Sequence, residues 1–421
     1  MDTEIEAQPS AAVVQANFRH FVGDILWFGL AMPATARFLS VYAIRLGAEP
    51  MLLGWLAALP AILALASSSL AAWWRRRYPD TVGAQLWPGV FYRFVFLLPA
   101  LTPFFPAEWQ PVWLVLAVSL PALPQGISSV MFLVLLREGM DSVKLTALMS
   151  RRSLIFNIAV ALSTLAFGFW LEEVAFPFNY QSMYVVAFAL SLVSAWHVQK
   201  VRILTVEEQP VTTPDQPVVS PWRSPAFQGV AVIVVIMHVS FYMLIPIIPL
   251  RLVDELGATE GFMSIFALAE LGAAALVAAL TNRIVGRIGS RPAIGLGLAG
   301  TGLAAIVLAL TSNLYVTLPA AAISGGMWTL AAISLFNYFS ECTPRESLTS
   351  YSTLYNQIVM LSVFVGPMLG SQLASMSLEL TSVLMIGAVL RLIAGGLIPS
   401  NIRRGRMKRT AHPAPAAKGY E

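Results

Sequence analysis

The segment Leu46–Arg77, LGAEPMLLGWLAALPAILALASSSLAAWWRRR, combines a turn, a long apolar run and a cluster of three arginines. A helix that crosses a membrane needs about twenty mostly apolar residues. The second part of the chain repeats this plan at Leu256–Arg287, LGATEGFMSIFALAELGAAALVAALTNRIVGR. Two equivalent halves that pack face to face in a bilayer can enclose a site between them. The repeat therefore predicts a duplicated membrane transporter.

The composition supports a membrane location. Of the 421 residues, 57% are hydrophobic and 11% are charged, whereas soluble domains carry about 25% charged residues. The basic residues lie in short loops and form no stripe with aromatic residues, which argues against a nucleic-acid partner. The single cysteine, Cys342, excludes a disulfide framework and a thiolate metal site. We expect no metal and no cofactor.

The apolar runs predict an all-α membrane protein with twelve transmembrane helices in two parallel six-helix halves. The first six helices are expected near residues 20–44, 50–73, 87–105, 111–136, 151–171 and 180–198. The second six are expected near residues 226–252, 260–282, 291–310, 314–339, 350–375 and 380–399. Six crossings return the chain to its starting side, so the two halves run parallel rather than inverted.

Five segments follow from this plan. We predict an N-terminal tail at 1–19, a first half at 20–198, a linker at 199–225, a second half at 226–400 and a basic tail at 401–421. The linker is rich in proline and acidic residues, a composition that resists compact folding. The acidic N-terminus lacks the apolar core and cleavage site of a signal peptide, so the first apolar segment should stay in the protein.

The loops differ in charge between the two sides. Most of the 26 basic residues lie on the side of Arg75–Arg77 and Arg287, whereas the opposite loops are acidic and hold only Arg45 and Arg251. Loops rich in arginine and lysine remain in the cytoplasm. We therefore expect both termini in the cytoplasm of a multi-pass protein of the cell (inner) membrane.

The helix plan and the basic loops after the second and eighth helices resemble the major facilitator superfamily over residues 18–400. The signature loop of that family reads G-x3-D-R-x-G-R-R. In this chain the segment Asn282–Arg291, NRIVGRIGSR, matches Arg287, Gly289 and Arg291. The resemblance implies two six-helix halves that expose a central site to each side of the membrane in turn.

The chain also departs from the family pattern. Gly286 stands where the signature has Asp, and the first-half loop keeps only its basic character, so the proposed Asp-based gating lock is not carried over. The Gly-Pro-x-x-Gly ending that marks drug antiporters is absent from Ser153–Leu171, and a fragment of it occurs at Gly366–Gly370. This departure disfavours a standard drug–proton antiporter.

Three ionisable residues within the predicted helices are candidates for proton coupling. A charge at the bilayer centre costs about 2.5–3.5 kcal/mol, so such residues tend to face a cavity. Glu270 lies near the middle of the eighth helix and is the preferred proton site, although it could also be a capped structural carboxylate. His238 of the seventh helix could pass a proton or simply pack. Asp24 lies near the cytoplasmic end of the first helix.

Five residues are candidates for the substrate cavity. Arg37 is deep in the first helix, where it could hold an anionic group, pair with an acid of another helix, or extend to the outer surface. Tyr242 follows His238 by one turn. Prolines and glycines predict interruptions in the fourth helix at Leu120–Ser129 and in the tenth at Ser324–Thr329. Because of these interruptions, Gln125, Trp328 and Asn337 are further candidates for the cavity.

Charged residues of the basic loops are candidates for gating. Charge pairs between loops that break and re-form as the two halves move could favour the inward-open or the outward-open state. Exposed pairs, however, contribute only about 0–1 kcal/mol. The gating-loop candidates are Arg77, Arg287, Glu138, Arg152, Glu341 and Arg345. Arg93 and Arg391 are expected to anchor loops or extend toward the cytoplasmic surface.

These patterns predict a secondary transporter for a small or amphipathic organic solute, coupled to protons. The chain has neither a phosphate-binding Walker loop nor a serine nucleophile elbow, so we expect neither ATP-driven transport nor an enzyme. The expected partners are the small-molecule substrate, the lipid bilayer and protons, with the protein acting as a monomer. Two alternatives remain: a lipid or lysolipid flippase-like protein, and a membrane sensor or assembly protein that no longer transports.

Overall fold

The computed structural model describes residues 11–204, 220–344, 348–376 and 378–400. Within these ranges twelve helices are long and apolar enough to cross a membrane, which confirms the predicted fold class. The first six are α1 (Ala11–Arg45), α2 (Pro50–Ser68), α3 (Thr81–Phe104), α4 (Ala107–Gly139), α5 (Ala147–Glu173) and α6 (Phe178–Gln199). The second six are α7 (Pro225–Glu255), α8 (Glu260–Ile288), α9 (Ser290–Leu310), α10 (Leu314–Cys342), α11 (Ser350–Ser375) and α12 (Leu380–Ile398).

The first helix begins earlier than its hydropathy predicts. Its start at Ala11 rather than near residue 20 corrects the predicted boundary. Val14 is buried, and the Asn17 side chain donates to the carbonyl of Gly139 at 2.8 Å. Tertiary packing therefore extends a helix whose first turns are too polar to be recognised as a crossing. The predicted division into five segments remains a prediction, and most of the linker and the basic tail lie outside the described residues.

Prolines coincide with breaks in α1, α4 and α7. Helical structure in α1 stops at Ala31, before Pro33, and resumes in the short segments Pro33–Ala36 and Leu39–Arg45. In α7 the long segment ends at Tyr242, ahead of Pro246. The two α-helical segments of α4 meet next to Pro121. Proline lacks a backbone N–H and clashes with the preceding turn, which accounts for these positions.

The predicted interruption of α10 at Ser324–Thr329 is wrong. Thr317–Cys342 is one continuous helix. Its glycines serve close packing, because a Cβ atom at Gly325 would collide with the backbone carbonyl of Glu270 on α8. Glycine permits such close approach between backbones.

The two faces of the molecule differ in how the halves meet. We call the face with the Leu46–Ala48 and Leu256–Ala258 turns the turn face, and the face with Arg75–Arg77 and Arg287 the basic face. One large core cluster near the turn face contains residues of both halves. The other three clusters each belong to a single half. The described apolar core is therefore joined at the turn face and divided at the basic face.

Two glycine–serine contacts mark where the halves touch. A Cβ atom at Gly54 of α2 would lie 2.6 Å from the Ser371 hydroxyl of α11. Gly168 of α5 lies equally close against Ser264 of α8. Nearer the basic face α5 and α8 line a cavity of about 910 Å³. The cleft between the halves thus opens on the basic face.

Candidate substrate and coupling site

An ion pair joins the two halves inside the molecule. Arg37 lies at the break in α1 and donates from Nη1 to Glu270 Oε2 of α8 at 2.7 Å. Both side chains are roughly a quarter exposed, which leaves the pair accessible to a solute or a proton. The sequence singled out both residues, and the structure brings them together. Of the alternatives for Arg37, the pairing with an acid on another helix is the one observed.

A second ion pair joins the same two helices closer to the turn face. Arg45 donates to both carboxylate oxygens of Glu260, at 2.9 and 3.2 Å, and to the carbonyl of Ala258 at 3.1 Å. The Tyr180 hydroxyl also donates to Glu260, at 3.0 Å. From the sequence, Arg45 and Glu260 are charges of the loops opposite the basic face, and nothing there predicts their contact. The signal available was their opposite charge next to the two Leu-Gly-Ala turns, since Arg45 precedes Leu46 and Glu260 follows Ala258.

The two ion pairs together hold the turn face closed. Glu260 and Glu270 are separated by about 15 Å along α8, given a rise of about 1.5 Å per residue. Separating α1 from α8 at the turn face would break both pairs. Because the turn face is closed and the basic face is open, the deeper pair, Arg37–Glu270, lies at the closed end of the cleft.

A buried charge cluster lies inside the first half. Asp24 of α1 accepts from Arg152 Nη1 at 3.0 Å and from the Ser194 hydroxyl at 2.7 Å, and it lies 3.8 Å from Arg93. All three ionisable residues are at most 7% exposed. Arg152 is therefore not a loop residue as predicted, because it lies within α5 with its guanidinium buried. Asp24 and Arg37 do not pair, as their separation on one helix requires.

Arg93 and Arg391 are buried rather than extended toward the surface, which corrects the prediction. Arg93 donates to the Ser191 carbonyl, the Gly89 carbonyl and the Ser194 hydroxyl at 2.6 to 2.7 Å. Arg391 of α12 donates to the carbonyls of Ser240, Phe241 and Thr301, at 2.9 to 3.2 Å. Each arginine binds main-chain carbonyls of its own half and connects three helices there.

A pocket of about 320 Å³ adjoins the charge cluster of the first half. Its lining combines that cluster with polar side chains of α3 and α4 and with apolar side chains of α1. Gln125, a predicted cavity residue, is among the lining residues. The full lining is Asp24, Ile25, Phe28, Met32, Gln85, Tyr92, Arg93, Gln125, Ser128, Ser129, Phe132, Arg152 and Val198.

The second half has an aromatic cluster instead. The rings of His238 and Tyr242 are 6.1 Å apart, and both lie edge-on to Trp328, at 5.5 and 5.9 Å. The His238 Nδ1 is 2.9 Å from the Val234 carbonyl of its own helix. The structure groups three predicted site residues here. His238 and Glu270 do not contact each other among the described residues, because Glu270 pairs with Arg37 and His238 packs against Trp328.

The remaining predicted residues lie toward the basic face. Arg77 and Arg287 are exposed, and Asn337 is half-buried on α10. Glu138 pairs with Arg75 at 3.7 Å and accepts from the Thr81 hydroxyl, so it does not pair with Arg152. Glu341 accepts from Ser290 at 2.6 Å. Arg345 lies outside the described residues. Their gating role stays a prediction.

Comparisons with known proteins agree with this architecture. A sequence model described as Major Facilitator Superfamily matches residues 20–367 and 230–418. No curated protein matches the chain. Among solved structures, an auto-inhibited POT family peptide transporter is 12% identical and has a TM-score of 0.70; the alignment covers 94% of this chain and 99% of that one. The inward-open xylose transporter XylE from E. coli is 12% identical, with a TM-score of 0.68 and coverage of 94% and 98%. The nucleoside transporter NupG is 13% identical, with a TM-score of 0.63 and coverage of 93% and 98%.

Proposed function

Because the chain belongs to the Major Facilitator Superfamily, and is thus a multi-pass membrane transporter rather than an enzyme, we propose that it moves a small or amphipathic organic solute and couples this movement to protons. The solute binds between the halves and is exposed to each side in turn. The observation that carries the proposal is the Arg37–Glu270 ion pair, which joins the halves at the closed end of the cleft.

We assign the basic face to the cytoplasm of the cell's inner membrane. The arginine-rich loops that flank α2 and α8 support this orientation under the positive-inside rule. The cleft then opens inward, and both termini and the linker lie in the cytoplasm. One chain encloses the whole cleft, so the transporter acts as a monomer.

The Arg37–Glu270 pair suggests how a proton drives the cycle. While Glu270 is charged, its attraction for Arg37 opposes the separation of α1 and α8 at the turn face. A proton on Glu270 removes this attraction and makes outward opening easier. Loss of the proton to the cytoplasm re-forms the pair and restores the inward-open state. A ligand can shift such an equilibrium only through its different affinity for the two states, which the proton has here.

The test is the variant Glu270→Gln, which is permanently uncharged. A solute found by a thermal-shift screen of metabolites and drugs is used in proteoliposomes, with and without a pH gradient. We expect accumulation against the solute gradient to be abolished, while exchange of labelled for unlabelled solute continues.

The matched control is Glu255→Gln. Glu255 is also an acidic residue of the second half, but it pairs with Arg251 within α7 and does not join the halves. Uphill transport by Glu270→Gln at the wild-type level would overturn the coupling mechanism. Loss of uphill transport in Glu255→Gln as well would show that the effect is not specific to Glu270.

A lipid or lysolipid substrate is a second candidate, favoured by the cavity between α5 and α8. Its walls are mostly apolar, and Leu154 and Ile158 expose about half of their surfaces. Such a groove suits an acyl chain. Movement of a fluorescent lysolipid between leaflets of proteoliposomes, dependent on the protein, would favour this candidate. The polar lining of the first-half pocket gives no support to a non-transporting sensor.

A further inference from the structure

The charge cluster in the first half is not balanced. One carboxylate, Asp24, faces two guanidinium groups, those of Arg93 and Arg152, and all three line the same pocket. Removing a charge from water is costly unless a partner compensates it. The pocket therefore carries one positive charge more than its lining neutralises.

The donors of Arg93 and Arg152 are used differently. The Nε, Nη1 and Nη2 atoms of Arg93 all donate to protein oxygens. Arg152 uses only Nη1, which donates to Asp24 and to the Phe21 carbonyl. Its Nε and Nη2 have no acceptor among the described residues, and Arg152 lines the pocket. These two donors are therefore available to a group that enters the pocket.

The free edge of Arg152 has the geometry of an anion-binding group. Adjacent Nε and Nη2 donors can bind two oxygens of a carboxylate or phosphate at once. The guanidinium is held in place by Asp24 on one side and by the Phe132 ring, whose centroid is 4.9 Å from its central carbon. The side chain is 8% exposed, so its orientation is set by packing rather than by solvent.

We propose that this pocket is a subsite for an anionic oxygen group, a carboxylate or a phosphate, of the transported solute. The inference rests on the proposed transport function and narrows its substrate to organic anions. Arg152 binds the charged group, and Gln125 of α4 provides an amide at the same pocket. Phe28 and Met32 contact the apolar part. A volume of about 320 Å³ admits a small ring or short chain with its acid group.

Binding to the purified protein in detergent tests the subsite without any gradient. The probes are benzoate and inorganic phosphate, with benzamide as the neutral counterpart of benzoate and added sodium chloride as the ionic-strength control. We expect calorimetric binding and a raised melting temperature for at least one of the anions but not for benzamide. The variant Arg152→Gln should weaken this binding at least tenfold.

The matched control is Arg151→Gln, because Arg151 is the neighbouring arginine and is exposed. It removes the same charge from the same turn and should leave anion affinity unchanged. Asp24→Asn should instead tighten anion binding severalfold, because it removes the carboxylate that competes for Arg152. If Arg152→Gln fails to fold, the double variant Asp24→Asn/Arg152→Gln removes both charges and should still lose binding.

A second experiment distinguishes a free anion from a lipid headgroup as the occupant of the pocket. Nanodiscs of phosphatidylglycerol and of phosphatidylcholine are compared without added anion. A raised melting temperature only in phosphatidylglycerol, lost in Arg152→Gln, would keep the anion site but assign its occupant to a lipid headgroup. Equal anion binding by wild type and Arg152→Gln would overturn the proposal.

The outcome is independent of the coupling test. Anion binding that requires Arg152 stands even if Glu270→Gln transports uphill normally. Loss of uphill transport in Glu270→Gln, together with Arg152-independent anion binding, would overturn the subsite alone.

Discussion

The same place in the two halves holds a pocket in one and an aromatic cluster in the other. The sequence offset that relates Leu46 to Leu256 also relates Phe28 to His238 and Met32 to Tyr242. Further along, Glu138, Leu145 and Thr146 recur as Glu341, Leu348 and Thr349, and the same offset relates Gln125 to Trp328. The three first-half residues line the polar pocket, whereas their three counterparts pack their rings against one another. The repeat therefore places a pocket in one half where it places packed rings in the other.

The buried arginines differ in the same way. Arg93 connects α1, α3 and α6, and Arg391 connects the equivalent helices α7, α9 and α12. The first half provides a carboxylate, Asp24, whereas Arg391 contacts main-chain carbonyls of α7 and α9. The break after Tyr242 leaves carbonyls of α7 without their usual helical donors, and Arg391 supplies them. Charge chemistry therefore concentrates in the first half.

Among variants that test this difference between the halves, we expect Asp24→Asn to cause the largest loss of stability. It leaves Arg93 and Arg152 buried without their carboxylate, and breaking a buried ion pair costs about 3–5 kcal/mol. The melting temperature of the purified protein without added anion should fall clearly. Glu138→Gln is the control, because its pair with Arg75 is about one-third exposed and such pairs contribute about 0–1 kcal/mol. Equal losses in the two variants would contradict a special role for the buried carboxylate.

Trp328→Ala should convert the aromatic cluster into a second pocket. We expect a loss of about 3 kcal/mol, the lower end for truncating a large aromatic side chain, because Trp328 is only partly buried. Thermal or chemical unfolding in detergent measures this loss. Trp87→Ala serves as control, since more than half of the Trp87 surface is exposed. A loss no larger than that of the control would show that the second half does not depend on its ring cluster.

A smaller difference is expected between Arg391→Lys and Arg93→Lys. A lysine ammonium cannot reproduce the planar fork that reaches three carbonyls on two helices. Leaving a buried carbonyl unpaired costs about 1–3 kcal/mol. In the first half Asp24 still attracts the ammonium, so Arg93→Lys should lower the melting temperature less. The reverse order would mean that the carbonyl contacts of Arg391 contribute little.

The sequence identified the two partners of the central ion pair but not their contact. Glu270 and Arg37 were recognisable because charges are rare within apolar helices, where they carry an energetic cost. Their pairing depends on how α8 of one half packs against α1 of the other. Arg45 and Glu260 escaped notice because charges at helix ends are common and carry no such signal.

Two further errors have a common cause. Arg152 was predicted to be a gating residue because it is one of the charges of a basic loop region, yet the fold buries it against Asp24. The glycines of α10 suggested a break, yet they allow α8 to approach closely. In both cases the local pattern was compatible with two structures, and the neighbouring helix selected one.

The sequence by itself predicted the twelve crossings, the proline break in α4, and the charge difference between the two faces. These features depend on hydropathy, on the missing proline N–H and on net charge along short segments, all of which are local. Only the tertiary structure decided which charges meet, which face is closed and which half keeps a pocket. Those outcomes depend on contacts between residues far apart in the sequence, which local chemistry does not specify.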